Sequence, residues 1–218
     1  MNLQKMGGVA ALFHAAAYVV GIVLGVTLIF PILDSDPGQY MAFVANNHSL
    51  MYIWNLISYW GSAVTLVVMA LALYERLKAG SPALVQTATV FGFIWAGLII
   101  ASGNLMLFDL GVVADLYGKD PAQTKTVWLA LEAVETGIVS GNELVGSLWV
   151  LLLSLGALRT GELTRTLNYL GVAVGVAGIL TIVPALAGTV IMIFASGMIV
   201  WSIWLGIVML RSRPSAAA

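Results

Sequence analysis

The sequence predicts an all-α, polytopic membrane protein with six transmembrane helices in one bundle and both termini cytoplasmic. Three observations predict it. Of the 218 residues, 61% are apolar and 9% charged, against roughly 45 to 50% and about a quarter in soluble domains. Nine basic and ten acidic side chains are too few to clothe a soluble domain of this length. The apolar residues gather into six stretches, each at least as long as the ~20 residues that cross ~30 Å of hydrocarbon. A chain in lipid must satisfy its backbone groups within the segment, so these stretches are helices.

They run from Gly7 to Leu33, Leu50 to Tyr74, Ala83 to Leu110, Val127 to Leu158, Leu167 to Ala187 and Gly188 to Leu210. Lys5 and the small residues Ala15, Ala16 and Ala17 give the first a likeness to a signal peptide. Its apolar run continues to Phe30, well past an h-region of about 7 to 15 residues, so an uncleaved span is expected. Asp34-Ser35-Asp36-Pro37-Gly38 closes it. Ser81-Pro82 supplies a cap and a first-turn proline for the third span, and Asp120-Pro121 breaks the chain before the fourth. The third and fourth have about 28 and 32 residues available, or about 42 and 48 Å of helix, more than tilt absorbs. They are expected to project beyond the outer surface as a hairpin. The turn around Pro184 to Gly188 makes the fifth and sixth a second hairpin. No linker separates soluble domains, so residues 1–218 read as one domain.

Orientation follows from the basic residues. Lys5, Arg76, Lys78, Arg159, Arg165, Arg211 and Arg213 fall on one side, which the positive-inside rule makes cytoplasmic. The other side holds Asp34, Asp36, Asp109, Asp115 and Asp120, with Lys119 and Lys125 as its bases.

Several chemistries are closed. The chain has no Cys, which removes disulfides, thiolate nucleophiles and thiolate-bound metals or clusters. Two histidines cannot build a three-His zinc site or a four-His two-haem bundle. A net charge of −1 without a basic cluster speaks against nucleic acid. No P-loop, dinucleotide fingerprint or G-x-S-x-G is present. No lysine lies in mid-span for a Schiff base.

Gly7-Gly8-Val9-Ala10-Ala11-Leu12 running into Tyr18-Val19-Val20-Gly21, and the closing Ile203-Trp204-Leu205-Gly206-Ile207-Val208-Met209-Leu210-Arg211, resemble an uncharacterised family of bacterial six-helix membrane proteins known as a domain of unknown function. The resemblance covers nearly the whole chain. It implies the six-helix architecture and a bacterial inner (plasma) membrane, and it carries over no catalytic residue.

An ionisable group inside a span costs at least ~2.5 to 3.5 kcal/mol on insertion scales and calls for a partner or a purpose. Such groups concentrate in the fourth span. Glu132, Glu135, Asn142 and Glu143, with Val139 and Gly146, fall within about 100° of arc on one face. Counting outward from Arg159 places Glu132 and Glu135 above the hydrocarbon as an outer vestibule, with Glu143 inside it. Ser102-Gly103-Asn104 in the third span mirrors Ser140-Gly141-Asn142 in the fourth, and the two triplets can meet across the hairpin. Trp54, Asn55, Ser58 and Tyr59 lie at similar depth in the second. Trp54 and Tyr52 read as interfacial belt, Asn55 and Tyr59 as deeper groups. Gly137 with Gly141, and Ser196-Gly197, read as packing devices.

His14 and His48 lie at opposite ends of their spans and cannot share a haem. His14 reads as a packed, hydrogen-bonded imidazole. An outer metal site of His48, Asp34, Asp36, Glu132 and Glu135 has no ligand spacing to support it. No metal, cofactor or catalytic residue is assigned.

The expected function is an outward-facing polar cavity among the second, third and fourth spans that binds a small cationic or polar ligand, for transport or sensing. Its ligand-binding residues are Glu143, Asn142, Asn104, Asn55 and Tyr59, with Glu143 facing the bundle interior within hydrogen-bond or one-water reach of Asn104, Asn55 or Tyr59. The alternative is a non-catalytic accessory or assembly subunit that docks a membrane-protein partner or a second copy, its polar groups serving as interhelical glue. An enzyme is the less favoured reading.

Overall fold

The computed structural model describes residues 2–33, 37–117 and 119–211. Asp34, Ser35, Asp36, Arg213 and Ser215 lie outside the described residues. Among those described, the backbone is helical with no strand, and six helices are long and apolar enough to cross a membrane. The chain is a multi-pass membrane protein.

The first span is α-helical over Leu3–Leu24, passes through a π-helical segment, Gly25–Ile29, and ends in Phe30–Leu33. It starts one turn before Gly7 because the Asn2 side chain caps it, accepting from the Lys5 N–H at 3.0 Å. The second span runs His48–Asn55, passes through a second π-helical segment, Leu56–Gly61, and continues as Ser62–Leu77. Between them lies an unexpected short helix, Pro37–Asn46. Pro37 therefore opens a helix in its first turn, although the sequence reading had it only closing one.

Pro82–Tyr117 and Pro121–Thr160 form the third and fourth spans, with 36 and 40 residues. Asp120 caps the fourth, accepting from the Gln123 N–H at 3.0 Å. Both helices exceed the expected bounds because the connection between Tyr117 and Pro121 is so short. The fifth span, Arg165–Ile179, tightens into the 3₁₀ turn Leu180–Ile182, and the sixth is Pro184–Arg211. The break thus precedes Pro184, where Pro184 to Gly188 had been expected to form the turn. Val183 is extended at φ −86° and ψ 107°, as a residue before proline must be, and Pro184 then opens the last helix.

Each span packs on its neighbours in sequence, and the first closes the ring on the sixth. Gly8 and Gly206 make that closure. A methyl on Gly206 would lie 2.9 Å from the Gly8 carbonyl oxygen, so backbone meets backbone there. These glycines belong to the motifs that carry the family resemblance. At the same end the Gln4 amide donates to the Met209 carbonyl at 3.0 Å, which places the start of the first span beside the end of the sixth.

At this proximal end Arg76 bonds Glu162 at 2.9 Å, tying the last turn of the second span to the connection after the fourth. Inside the ring three fully buried indoles form a ladder. Trp95 and Trp149 have centroids 5.7 Å apart, and Trp149 and Trp201 5.6 Å apart. Leu66, Met69, Leu73, Leu153 and Met198 fill around them.

With their proximal ends level, the long third and fourth helices must overhang at the other end. They measure about 54 and 60 Å, against about 27 Å for residues 165–182 of the fifth. The short helix Pro37–Asn46 packs on this overhang, with the Tyr40 and Trp128 rings 6.1 Å apart.

Candidate functional site

Two adjoining cavities open in the distal half. The inner one, about 230 Å³, is walled by Ala17, Tyr18, Gly21 and Ile22 of the first span, Trp54, Ser58 and Tyr59 of the second, and Val139, Asn142 and Glu143 of the fourth. The third span contributes only Ile99. The outer one, about 300 Å³, shares Trp54, Tyr59 and Val139 with it and adds Ile29, Tyr40, Met106, Trp128, Glu132, Glu135, Thr136 and Ser140.

The local backbone explains why a cavity sits here. Both π-helical segments border it: Gly25–Ile29 begins one turn after Gly21, and Leu56–Gly61 contains Ser58 and Tyr59. A π turn widens the helix and shifts the faces before and after it. Gly21 lets the second span come close, since a methyl there would lie 2.8 Å from Ser58 Oγ. The Trp54 indole N–H donates to the Gly21 carbonyl at 3.1 Å, which fixes its ring on the boundary between the cavities. The Tyr59 ring stands edge-on to Trp54 at 5.8 Å.

Glu143 occupies the wall of the inner cavity and is half-buried. Among the described residues its carboxyl has no side-chain hydrogen-bond partner; its backbone carbonyl accepts from the Ser147 hydroxyl. Ser58 Oγ and Asn142 Oδ1, on the same cavity, are buried and unpartnered. Tyr18 and Tyr59 line the same cavity as Glu143. Glu143 also borders a wider cleft of about 570 Å³ on the side of the fifth and sixth spans, with Ser140, Leu144, Thr181, Ile182 and Ile191.

The structure brings Glu143, Asn142 and Tyr59 together on the inner cavity and puts Glu132 and Glu135 on the outer one. Two expected ligand residues are elsewhere. Asn55 is fully buried and donates to the Gly103 carbonyl at 2.9 Å, so it seals the seam between the second and third spans. Asn104 is half-buried and lines none of the three cavities described. The physical reason is Gly103, where a methyl would lie 2.6 Å from Tyr59 Cβ. That close approach fills the space the third span was expected to line, and the first span supplies the wall instead. No direct hydrogen bond joins Glu143 to Asn104, Asn55 or Tyr59 among the described residues, and of the three only Tyr59 shares the inner cavity with it.

The mirrored triplets meet in one bond, from the Asn142 amide to Ser102 Oγ at 3.2 Å. Gly137 and Gly141 make no close approach, contrary to their reading as packing devices, whereas Gly197 faces Val174 tightly. His14 is buried, donating from Nδ1 to the Ser62 carbonyl at 3.1 Å and packing on Tyr18 and Trp95. His48 is exposed at the start of the second span. Among the described residues no three His, Asp or Glu side chains converge as a metal site would require. Tyr52 is exposed, as a belt residue should be, while Trp54 is buried against the cavities.

Sequence reasoning passed over Tyr18, Tyr40, Met106 and Trp128. A signal existed for the first, because Ala17, Tyr18, Gly21 and Ile22 share one helical face. Asp36-Pro37 followed by Tyr40 carried the start signal of the short helix.

The chain matches a family model described as "Domain of unknown function (DUF4386)" over residues 6–211, and it belongs to that family. No curated protein and no solved structure matches it.

Proposed function

We propose that this member of the DUF4386 family binds a small cationic or polar ligand in the inner cavity, with Glu143 as its anionic partner and Asn142 and Tyr59 beside it. The observation that carries the reading is a half-buried carboxyl that faces a cavity and meets no side-chain donor among the described residues. A carboxyl kept as interhelical glue would be hydrogen-bonded across an interface, as Asn55 is. Buried, unpartnered Ser58 Oγ and Asn142 Oδ1 add neutral polar groups to the same wall. The two bordering π segments also favour a site, since such segments recur where function requires a reshaped helix.

On this reading the protein sits in a bacterial inner membrane with both termini cytoplasmic, and the paired cavities open outward. The ligand passes Glu132 and Glu135 before it reaches Glu143. Binding serves transport or sensing.

Thermal unfolding of the purified chain in mild detergent, with ammonium, methylammonium and guanidinium salts against potassium at equal ionic strength, tests the site. Saturating ligand at about 100 times Kd stabilises a protein by ~2.7 kcal/mol. Glu143→Gln keeps the shape and should fold while losing that stabilisation. If none of the three cations raises the midpoint above potassium, or if Gln retains the effect in full, the assignment of Glu143 is wrong.

A further inference from the structure

We infer that the outer cavity is a selectivity vestibule for organic ammonium ions, tertiary or quaternary amines with short apolar substituents. The inference deepens the reading of Glu143 as an inner cation site and rests on it for the ligand's destination.

Four aromatic side chains meet on this one cavity in two pairs, Tyr40 with Trp128 and Trp54 with Tyr59. The pairs come from four places in the chain: the short helix Pro37–Asn46, the fourth span, and two consecutive turns of the second. The Trp54 N–H is already engaged by the Gly21 carbonyl, so what that indole offers a ligand is its carbon surface. Glu132 and Glu135 stand one turn apart on the same wall, and among the described residues no Lys, Arg or His lines it.

Walls of this composition discriminate among cations by hydration. An alkali ion keeps its water unless oxygen ligands surround it; the Glu132, Glu135, Thr136 and Ser140 oxygens all come from one helix, and the four rings, Ile29, Met106 and Val139 on the rest of the wall do not complete a shell. An alkylated ammonium is weakly hydrated and fits the negative face of aromatic rings, the basis of quaternary ammonium recognition in general. The two carboxylates contribute charge, and the rings exclude the strongly hydrated competitors. A cavity of about 300 Å³ is at the small end of ligand sites and suits a compact headgroup. Trp54, Tyr59 and Val139 line both cavities, so a cation in the vestibule is already against the wall of the Glu143 compartment.

The test uses the full chain in mild detergent with choline, its neutral isostere 3,3-dimethylbutan-1-ol, and methylammonium, read by thermal midpoint and tryptophan emission. Choline should stabilise saturably and the isostere should not. Trp128→Leu should weaken choline about 3- to 30-fold, the range expected for one ring–cation contact, while Trp128→Phe keeps most of the affinity. Glu132→Gln with Glu135→Gln, a surface-side pair of changes that spares the packing, should weaken it as well. Equal effects of choline and the isostere would overturn the inference, and so would choline affinity unchanged in both Trp128→Leu and the double Gln variant. If methylammonium binds in a Glu143-dependent way and choline does not bind, the vestibule assignment fails and the inner site stands. If choline binding needs Trp128 and no cation senses Glu143→Gln, the vestibule stands and the inner site fails.

Discussion

Gly103→Ala is the most direct probe of how the second and third spans set the shape of the inner cavity. The added methyl would sit 2.6 Å from Tyr59 Cβ and 3.0 Å from Asn55 Oδ1, where ordinary contact begins near 3.4 Å. Tyr59 Cβ is anchored to its own backbone, so no rotamer change relieves the overlap. The helices must move apart by several tenths of an ångström. Overpacking of this kind costs about 1 to 3 kcal/mol. Separation also stretches the Asn55 bond to the Gly103 carbonyl, worth ~0.6 to 1.7 kcal/mol for a polar contact between membrane helices. The expected loss is therefore about 2 to 5 kcal/mol. Reversible denaturation in mixed detergent micelles, followed by tryptophan emission, would measure it. Gly137→Ala is the matched control, since nothing lies within 4 Å of a methyl placed there. Equal stability of the two variants would refute the close approach and with it the explanation for why Asn55 and Asn104 do not line the cavity.

Three further outcomes are expected. A single Cys at Gln123, which is exposed at the distal end, should react with an impermeant reagent in sealed cells, and one at Ser215 should not; the reverse pattern would invert the orientation. Glu162→Ala should cost about 1 to 3 kcal/mol by stripping the charged hydrogen bond from Arg76, whose side chain is 13% exposed; a silent variant would mean that the pair is not formed in the membrane. Asn55→Leu should destabilise by ~0.6 to 1.7 kcal/mol without changing cation affinity in the thermal assay, because Asn55 seals a seam and lines none of the cavities described. Loss of binding with stability intact would return Asn55 to the site.

Composition and local pattern alone determined the class of this protein, the number of its spans, the start at Ser81-Pro82, and the polar face of the fourth span. These depend on the length of an apolar run, on a cap beside a proline, or on 100° per residue, all local quantities. The polar face survived intact because one rigid helix carries it: Val139, Asn142 and Glu143 reach the inner cavity, and Glu132 and Glu135 the outer. Which neighbours that face meets was a different matter. Helices this apolar on every side carry little record of the rotation and depth at which they pack, since lipid tails serve an apolar side chain as well as another helix does. Tertiary packing alone decided that Gly103 would draw Asn55 into a seam, that Tyr18 of the first span would stand in the wall where Asn104 of the third was expected, and that Gly197 would pack tightly where Gly137 does not. The two π segments and the placement of Tyr40 against Trp128 belong to the same category. They arise from how one helix accommodates the next, and that accommodation exists only once the spans have met.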